Sequence, residues 1–219
     1  MLPPRLAALL SVAFLGDVTE AHLQALADAQ VAEDQDLEFK QARYDYGPAG
    51  AVELAKDVAA LANQAGGLLI IGVAQDEQGR AAGLTPATLN DAEKGRIRQV
   101  LADRIHPMIA NVDVHDFPAR NSPGTGYYLI FVPRSVQAPH AVRHKDQPYL
   151  CYPVRDGATT RYLAEAEIAA RYRDRFALAR DQVSRLERLH VNGPRGEDPE
   201  VLAIAVALVP GIAGSRPLT

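Results

Sequence analysis

Between Glu33 and Lys40 the chain reads Glu-Asp-Gln-Asp-Leu-Glu-Phe-Lys, a density of carboxylates that suits a hard divalent cation. Its tail, Leu37-Glu38-Phe39-Lys40, alternates apolar and charged residues as a half-buried strand does. Glu38 and Lys40 then share one face, away from the core, and Leu37 and Phe39 share the other. Glu33 stands at the mouth of that strand, where a turn or helix end folds it back beside Glu38. The same stretch also reads as an acidic, solvated loop, because runs of charge usually face water. Further on the charge reverses. Arg134, Arg143, Lys145, Arg155 and Arg161 face only Asp146 and Asp156, with His140, His144, Tyr149, Tyr152 and Tyr162 interleaved. Guanidinium groups neutralise phosphates and tyrosines stack on bases, a combination that grips RNA. The plainer alternative is a pair of surface strands with solvated arginines.

Other chemistries are poorly served. The six histidines, His22, His106, His115, His140, His144 and His190, show no metal-ligand pairing at helical spacing. His140 and His144 have the right pKa range for acid and base in metal-free RNA cleavage, although a loop histidine near arginines more often touches phosphate or nothing. No phosphate loop ending Gly-Lys-Ser/Thr, no Gly-x-Gly-x-x-Gly between strand and helix, and no Gly-x-Ser-x-Gly turn occurs.

At 219 residues and 47% hydrophobic content, the chain has the composition of a folded globular protein. A net charge of -4 exerts no global pull on nucleic acid, so such a partner must be held by a local basic patch. The single cysteine, Cys151, excludes an internal disulfide framework and any multi-cysteine zinc site, which fits a reducing cytoplasm. The apolar run Leu6 to Leu15 mimics a short signal peptide, but Pro3-Pro4 and the absence of a small-residue cleavage pattern favour a core or interface helix. No stretch reaches the roughly 18 uninterrupted apolar residues that span a bilayer.

The elements that must position these residues are those of a mixed α/β fold, a β-sheet flanked by helices. Residues 1–30 read as a helical segment, with Thr19 capping Glu20 to Ala29. Val52 to Asn63 carries Leu54, Ala55, Val58, Leu61 and Ala62 at helical spacing and stops at Gly66-Gly67. Leu68 to Val73 is a continuous apolar run, expected as a central strand covered on both faces, and Ala74 to Arg80 is the turn at its carboxyl end. Asn90 and Glu93 resemble a capping box for a helix reaching Ile105. Asn111 to Phe117, Tyr127 to Val132 and Tyr149 to Val154 are expected strands. A long helix covers 165–190, overlapping the end of a main domain at 31–175. Its stripe of Ile168, Tyr172, Phe176, Ala179, Val183 and Leu186 serves either a core or a dimer seam. Residues 191–219 read as a linker and the start of a second, truncated domain, with Val201 to Val209 as its first strand.

Glu33-x4-Glu38-Phe39-Lys40, Ala62-Asn63-Gln64-Ala65-Gly66-Gly67-Leu68-Leu69-Ile70-Ile71-Gly72-Val73, Asp76, and Tyr152-Pro153-Val154-Arg155-Asp156-Gly157-Ala158-Thr159-Thr160 together resemble a Schlafen AlbA-like domain, over about Glu33 to Tyr172. The resemblance implies a metal-dependent endoribonuclease acting on structured RNA such as tRNA, in a bacterial defence setting. Glu33, Glu38 and Asp76 would hold Mg²⁺ or Mn²⁺, Lys40 would join the catalytic set, and Lys40, Arg43, Arg134, Arg143, Lys145 and Arg155 would contact the nucleic acid. It also implies departures. Vertebrate Schlafen cores carry two lobes and a zinc site, whereas this chain has one lobe and one cysteine, so a homodimer would rebuild the groove. Ala74 replaces an acid often found after Gly-Val, leaving Asp76 or Glu77 to supply the third carboxylate. Many bacterial relatives are DNA-binding or ATP-binding modules, so a non-catalytic nucleic-acid-binding regulatory module is the alternative, and a nucleotide sensor the third.

Overall fold

A computed structural model describes residues 1–144 and 149–192. In chain order it has α1 (Pro4–Leu10), α2 (Glu20–Asp28), β1 (Leu37–Lys40), α3 (Pro48–Gln64), β2 (Gly67–Ile71), β3 (Val73–Gln75), β4 (Ala81–Leu84), β5 (Ala87–Thr88) and α4 (Glu93–Arg104). There follow β6 (Ile105–His106), β7 (Asp113–Pro118), β8 (Thr125–Val132), β9 (Ala141–Arg143), β10 (Leu150–Cys151), β11 (Pro153–Asp156), β12 (Thr159–Tyr162) and α5 (Glu165–Asn192). The fold is mixed α/β. β1 runs parallel to β2, and the intervening α3 makes the long crossover such a pair requires. β2 is antiparallel to β8, and β7 and β5 both pair with β8. Three small antiparallel sheets, β3 with β4, β6 with β9 and β10, and β11 with β12, surround this frame.

Period-two alternation sorts the sheet's side chains into two cores. Leu37, Phe39, Leu68, Ile70, Tyr127 and Leu129 pack against α1 and α2 through Leu6, Leu10, Leu23 and Leu26. Leu69, Ile71, Tyr128 and Ile130 pack against α3 and α4 through Leu54, Val58, Leu61, Ile97 and Leu101. The sheet is thus covered on both faces, and β2, buried along its whole length, is the central strand the apolar run predicts. Leu6, Leu10, Leu23 and Leu26 are each at most 2% exposed. At about 2 kcal/mol per buried leucine, α1 and α2 are a core layer of this unit, with Leu6, Leu10 and Leu15 turned to the interior and Phe14 exposed.

Two local devices set the geometry. Gly72 has φ +107°, and a Cβ there would stand 2.7 Å from the Tyr127 ring, so only glycine can bend the chain from β2 into β3 at this point. Asn63, 1% exposed near the end of α3, is a three-way pin. Its Nδ2 donates to the His140 carbonyl at 2.9 Å and the Pro153 carbonyl at 2.7 Å, and its Oδ1 accepts from the His140 amide at 2.6 Å. These bonds fasten the segment entering β9, and the start of β11, to α3.

Several expectations are refined. Tyr149 to Val154 is not one strand: it splits at Tyr152 into β10 and β11, which belong to different sheets. Asn90 and Glu93 form no capping box. Asn90 Oδ1 accepts from the Ala92 amide, while Glu93 turns inward and is 0% exposed. Met1–Ala164 is one compact unit that includes the first helices, and α5 opens a second. On α5, Ile168 and Tyr172 are half-buried and Phe176 and Val183 exposed. Lys145 and the segment 193–219, with its expected linker and strand, lie outside the described residues.

Removing the Asn63 amide strands two buried carbonyls and one buried N–H. Asn63→Ala is therefore expected to lower stability by about 2 to 4 kcal/mol in urea denaturation. A loss within experimental error would show that β11 does not depend on this pin.

Candidate functional site

The face of β1 opposite Leu37 and Phe39 is where the ionic side chains meet. Glu38 and Lys40 share it as the alternation predicts, but α3 covers it, so Glu38 is 4% exposed rather than turned to solvent. Lys40 Nζ bridges Glu38 Oε1 at 2.8 Å and Asp57 Oδ2 at 2.9 Å, and the Tyr44 hydroxyl donates to the same Asp57 oxygen at 2.7 Å. From the other side Arg155, on β11, pairs its Nη1 with Glu38 Oε2. Its Nη2 donates to the carbonyls of Asp34 at 3.1 Å and Leu37 at 3.4 Å, and lies 3.8 Å from Glu33 Oε2. The cluster is therefore three carboxylates, Glu33, Glu38 and Asp57, against Lys40 and Arg155.

Its electrostatics follow from burial. Loss of solvent, with the Asp57 charge second, pushes the Glu38 carboxyl above its usual range, while Lys40 and Arg155 pull it down. Burial alone would lower the Lys40 ammonium; Asp57 and Glu38 outweigh it and hold the amine charged. Burial and Asp57 push the Tyr44 phenol well up, keeping it a donor. A lone buried carboxylate costs several kcal/mol, so each acid here relies on its cation.

Glu33 does fold back beside Glu38. The amide of Glu33 donates to the Gly79 carbonyl at 3.0 Å, and its Oε1 accepts from the Phe39 amide at 2.7 Å. Asp76 sits in the β3–β4 turn, where its Oδ1 accepts from the amides of Gln78 at 2.9 Å and Arg80 at 2.8 Å. That is the work of a turn-forming aspartate. Among the described residues no group of three or more His, Cys, Asp or Glu side chains stands close enough to hold a metal ion. Glu33, Glu38 and Asp76 each have protein partners, and as arranged they do not fit Mg²⁺ or Mn²⁺.

The expected nucleic-acid contacts separate. Arg155 is 3% exposed and cannot reach a phosphate, because its guanidinium is committed to Glu38 and the β1 turn. Arg43 Nη1 is held by the buried Glu93 at 3.0 Å, which also accepts from the Tyr46 hydroxyl at 2.5 Å. Lys40 is occupied by Glu38 and Asp57. Arg134 and Arg143 are exposed, the first beside the Gly66 turn and the second on β9. Around Arg143 the surface turns aromatic. Leu150 pairs with Arg143 in the β9–β10 register, and the His144 and Tyr149 rings lie 5.3 Å apart. Arg104 Nη1 reaches the Arg143 carbonyl at 3.4 Å. On β12, burial pushes the Tyr162 phenol above its usual range, with smaller contributions from Cys151, Glu53 and Tyr149 in the same direction and from Lys56 against it. Tyr149, Leu150 and Tyr162 are each at least half exposed.

Asp57, Glu93 and Asn63 have roles that sequence reasoning misses. Asp57 lies three residues after Leu54 and four before Leu61, on the buried stripe of α3, and a charge at such a position is the signal that would have found it. His140 is buried, with its Nδ1 at 2.7 Å from the Pro107 carbonyl, so it is not placed for surface acid–base chemistry.

Solved structures similar to this chain include the DIP2311 protein from Corynebacterium diphtheriae, at 22% identity and a TM-score of 0.43, covering 77% of this chain and 27% of that one. Another is the N-terminal domain of a putative ATP-dependent DNA helicase RecG-related protein from Nitrosomonas europaea, at 19% identity and a TM-score of 0.42, covering 65% of this chain and 94% of that one. This chain thus spans about a quarter of the Corynebacterium protein. No curated protein matches it. The family described as Schlafen, AlbA_2 matches residues 33–164, the span that holds β1, the ion cluster and β11. This chain belongs to the Schlafen AlbA_2 family.

Proposed function

We propose that this domain is a nucleic-acid-binding module that grips RNA on the β9, β10 and β12 surface. The observation that carries this reading is the exposure of Tyr149 and Leu150 beside Arg143 and Arg104, with Tyr162 exposed on β12. Exposed tyrosines with cations at their rim form a stacking platform with a phosphate clamp, and stacking contributes about 1 to 3 kcal/mol per base. Family membership points to a nucleic-acid-related role as well. The acids of the cluster serve architecture in this reading: with Lys40 and Arg155 they tie β1, α3 and β11 together. Metal-dependent cleavage of tRNA-like RNA, the activity the family resemblance implies, has less support, because Glu38 is already paired with two cations and Asp76 Oδ1 is engaged by the amides of its own turn.

Fluorescence anisotropy with labelled tRNA and single-stranded RNA tests the platform. Arg143→Ala is expected to weaken binding and to reduce the slope of log affinity against log salt by about 0.7 to 0.9. Tyr162→Ala is expected to weaken it about 5- to 100-fold with the slope unchanged. Unchanged affinity in both variants would place the nucleic acid elsewhere.

Incubating the same RNAs with Mg²⁺ or Mn²⁺ discriminates the two activities. Intact RNA, and binding that persists in chelator, are expected. Cleavage that chelator abolishes and Glu38→Gln removes would replace the binding module with a nuclease.

A further inference from the structure

α5 begins where the family match ends, at Glu165, and its residues follow a different pattern. Ala169, Tyr172, Phe176, Ala179 and Val183 recur at alternating intervals of three and four residues, the a and d positions of a heptad. The helix runs on to Asn192, long enough for three heptads from Ala169. Tyr172 and Phe176 stack on one another with ring centroids 6.1 Å apart, and the Arg175 guanidinium lies 5.8 Å from the Tyr172 ring. Phe176 and Val183 are 59% and 54% exposed, so two large apolar side chains of this seam stand in water. The flanks of the seam carry one sign of charge. From Glu165 to Asp181 every charged residue at an e or g position is an arginine, namely Arg173, Arg175 and Arg180. The acids Glu167, Asp174 and Asp181 stand seven residues apart at f, on the side away from the seam. Charges at e and g decide which helix can pair. A second copy of α5 fits poorly over this segment: a parallel pair sets Arg175 at g against Arg180 at e, and an antiparallel pair sets Arg173 against Arg180, both at e. An RNA partner would use the arginines but not the apolar seam between them.

We infer that α5 is one helix of a heterotypic coiled coil, whose partner is an amphipathic helix of another protein with acidic residues flanking its own apolar seam. Burial of Phe176 and Val183 drives the association. Arg173, Arg175 and Arg180 select the acidic helix and reject a second α5. None of these residues belongs to the surface assigned to RNA, so the two stand or fall separately.

Two synthetic three-heptad peptides, titrated into the full chain by calorimetry, test the pairing. Both carry Leu and Ala along the seam, with Glu at every e and g position in one and Lys in the other. The Glu peptide is expected to bind at least about tenfold more tightly than the Lys peptide. Phe176→Glu is expected to abolish that binding. The triple variant Arg173→Glu, Arg175→Glu, Arg180→Glu is expected to reverse the preference, a gain of Lys-peptide binding that an unfolded helix could not give. No binding of the Glu peptide, or equal affinity for both peptides, would overturn the inference. So would sedimentation of the protein alone as a dimer that Phe176→Glu dissociates, because α5 would then be paired with its own copy.

Discussion

The ion pair between Arg155 and Glu38 is the constraint on which the rest of the site depends. Both groups are almost fully buried, and a buried charge left without its partner costs about 3 to 5 kcal/mol. The pair therefore cannot be loosened piecemeal. It obliges β11 to lie across the mouth of β1, although 117 residues separate the partners. Lys40 and Asp57 extend the same network to α3, so a strand, a helix and a hairpin are locked through one set of charges.

This constraint brings widely separated segments of the chain together. Asn63 binds the Pro153 carbonyl and thereby fixes the start of β11 on α3. Two residues later Arg155 reaches Glu38. The glycines after Asn63 let β2 begin close against the turn before β1: a Cβ on Gly67 would stand 2.5 Å from the Asp36 carbonyl. The segment with the glutamates, the one with asparagine and glycines, and the one with arginine are thus three contacts of one assembly. Its buried charges are at least as well explained by architecture as by catalysis, whereas Arg143, Tyr149, Leu150 and Tyr162 stay exposed.

How much of this was legible in the sequence depended on whether a residue's role is local. The alternation of Leu37 to Lys40, the buried run of β2, the glycine stop and the return of Glu33 toward Glu38 all follow from local pattern, and the structure has them. Which face was solvated did not follow. Alternation fixes that Glu38 and Lys40 point together, but not that α3 lies over them. Arg155 belongs by sequence to the basic run from Arg134 to Arg161 and reads there as a nucleic-acid contact; only its ion pair with Glu38, 117 residues away, turns it inward. Glu93 misled for the converse reason, since a capping-box spacing also suits an acid that is buried under Arg43 and Tyr46. Tyr149 and Tyr162 read as interleaved aromatics, but that each is half exposed depends on where β10 and β12 lie in the fold.

A double-mutant cycle on Glu38→Gln and Arg155→Met, read by urea denaturation, tests the central coupling most directly. Each single variant is expected to lose about 3 to 5 kcal/mol, and the double variant much less than their sum, a coupling of about 2 kcal/mol or more. Losses that add to within about 0.5 kcal/mol would contradict the account, showing that β1 and β11 are held together by something other than this pair.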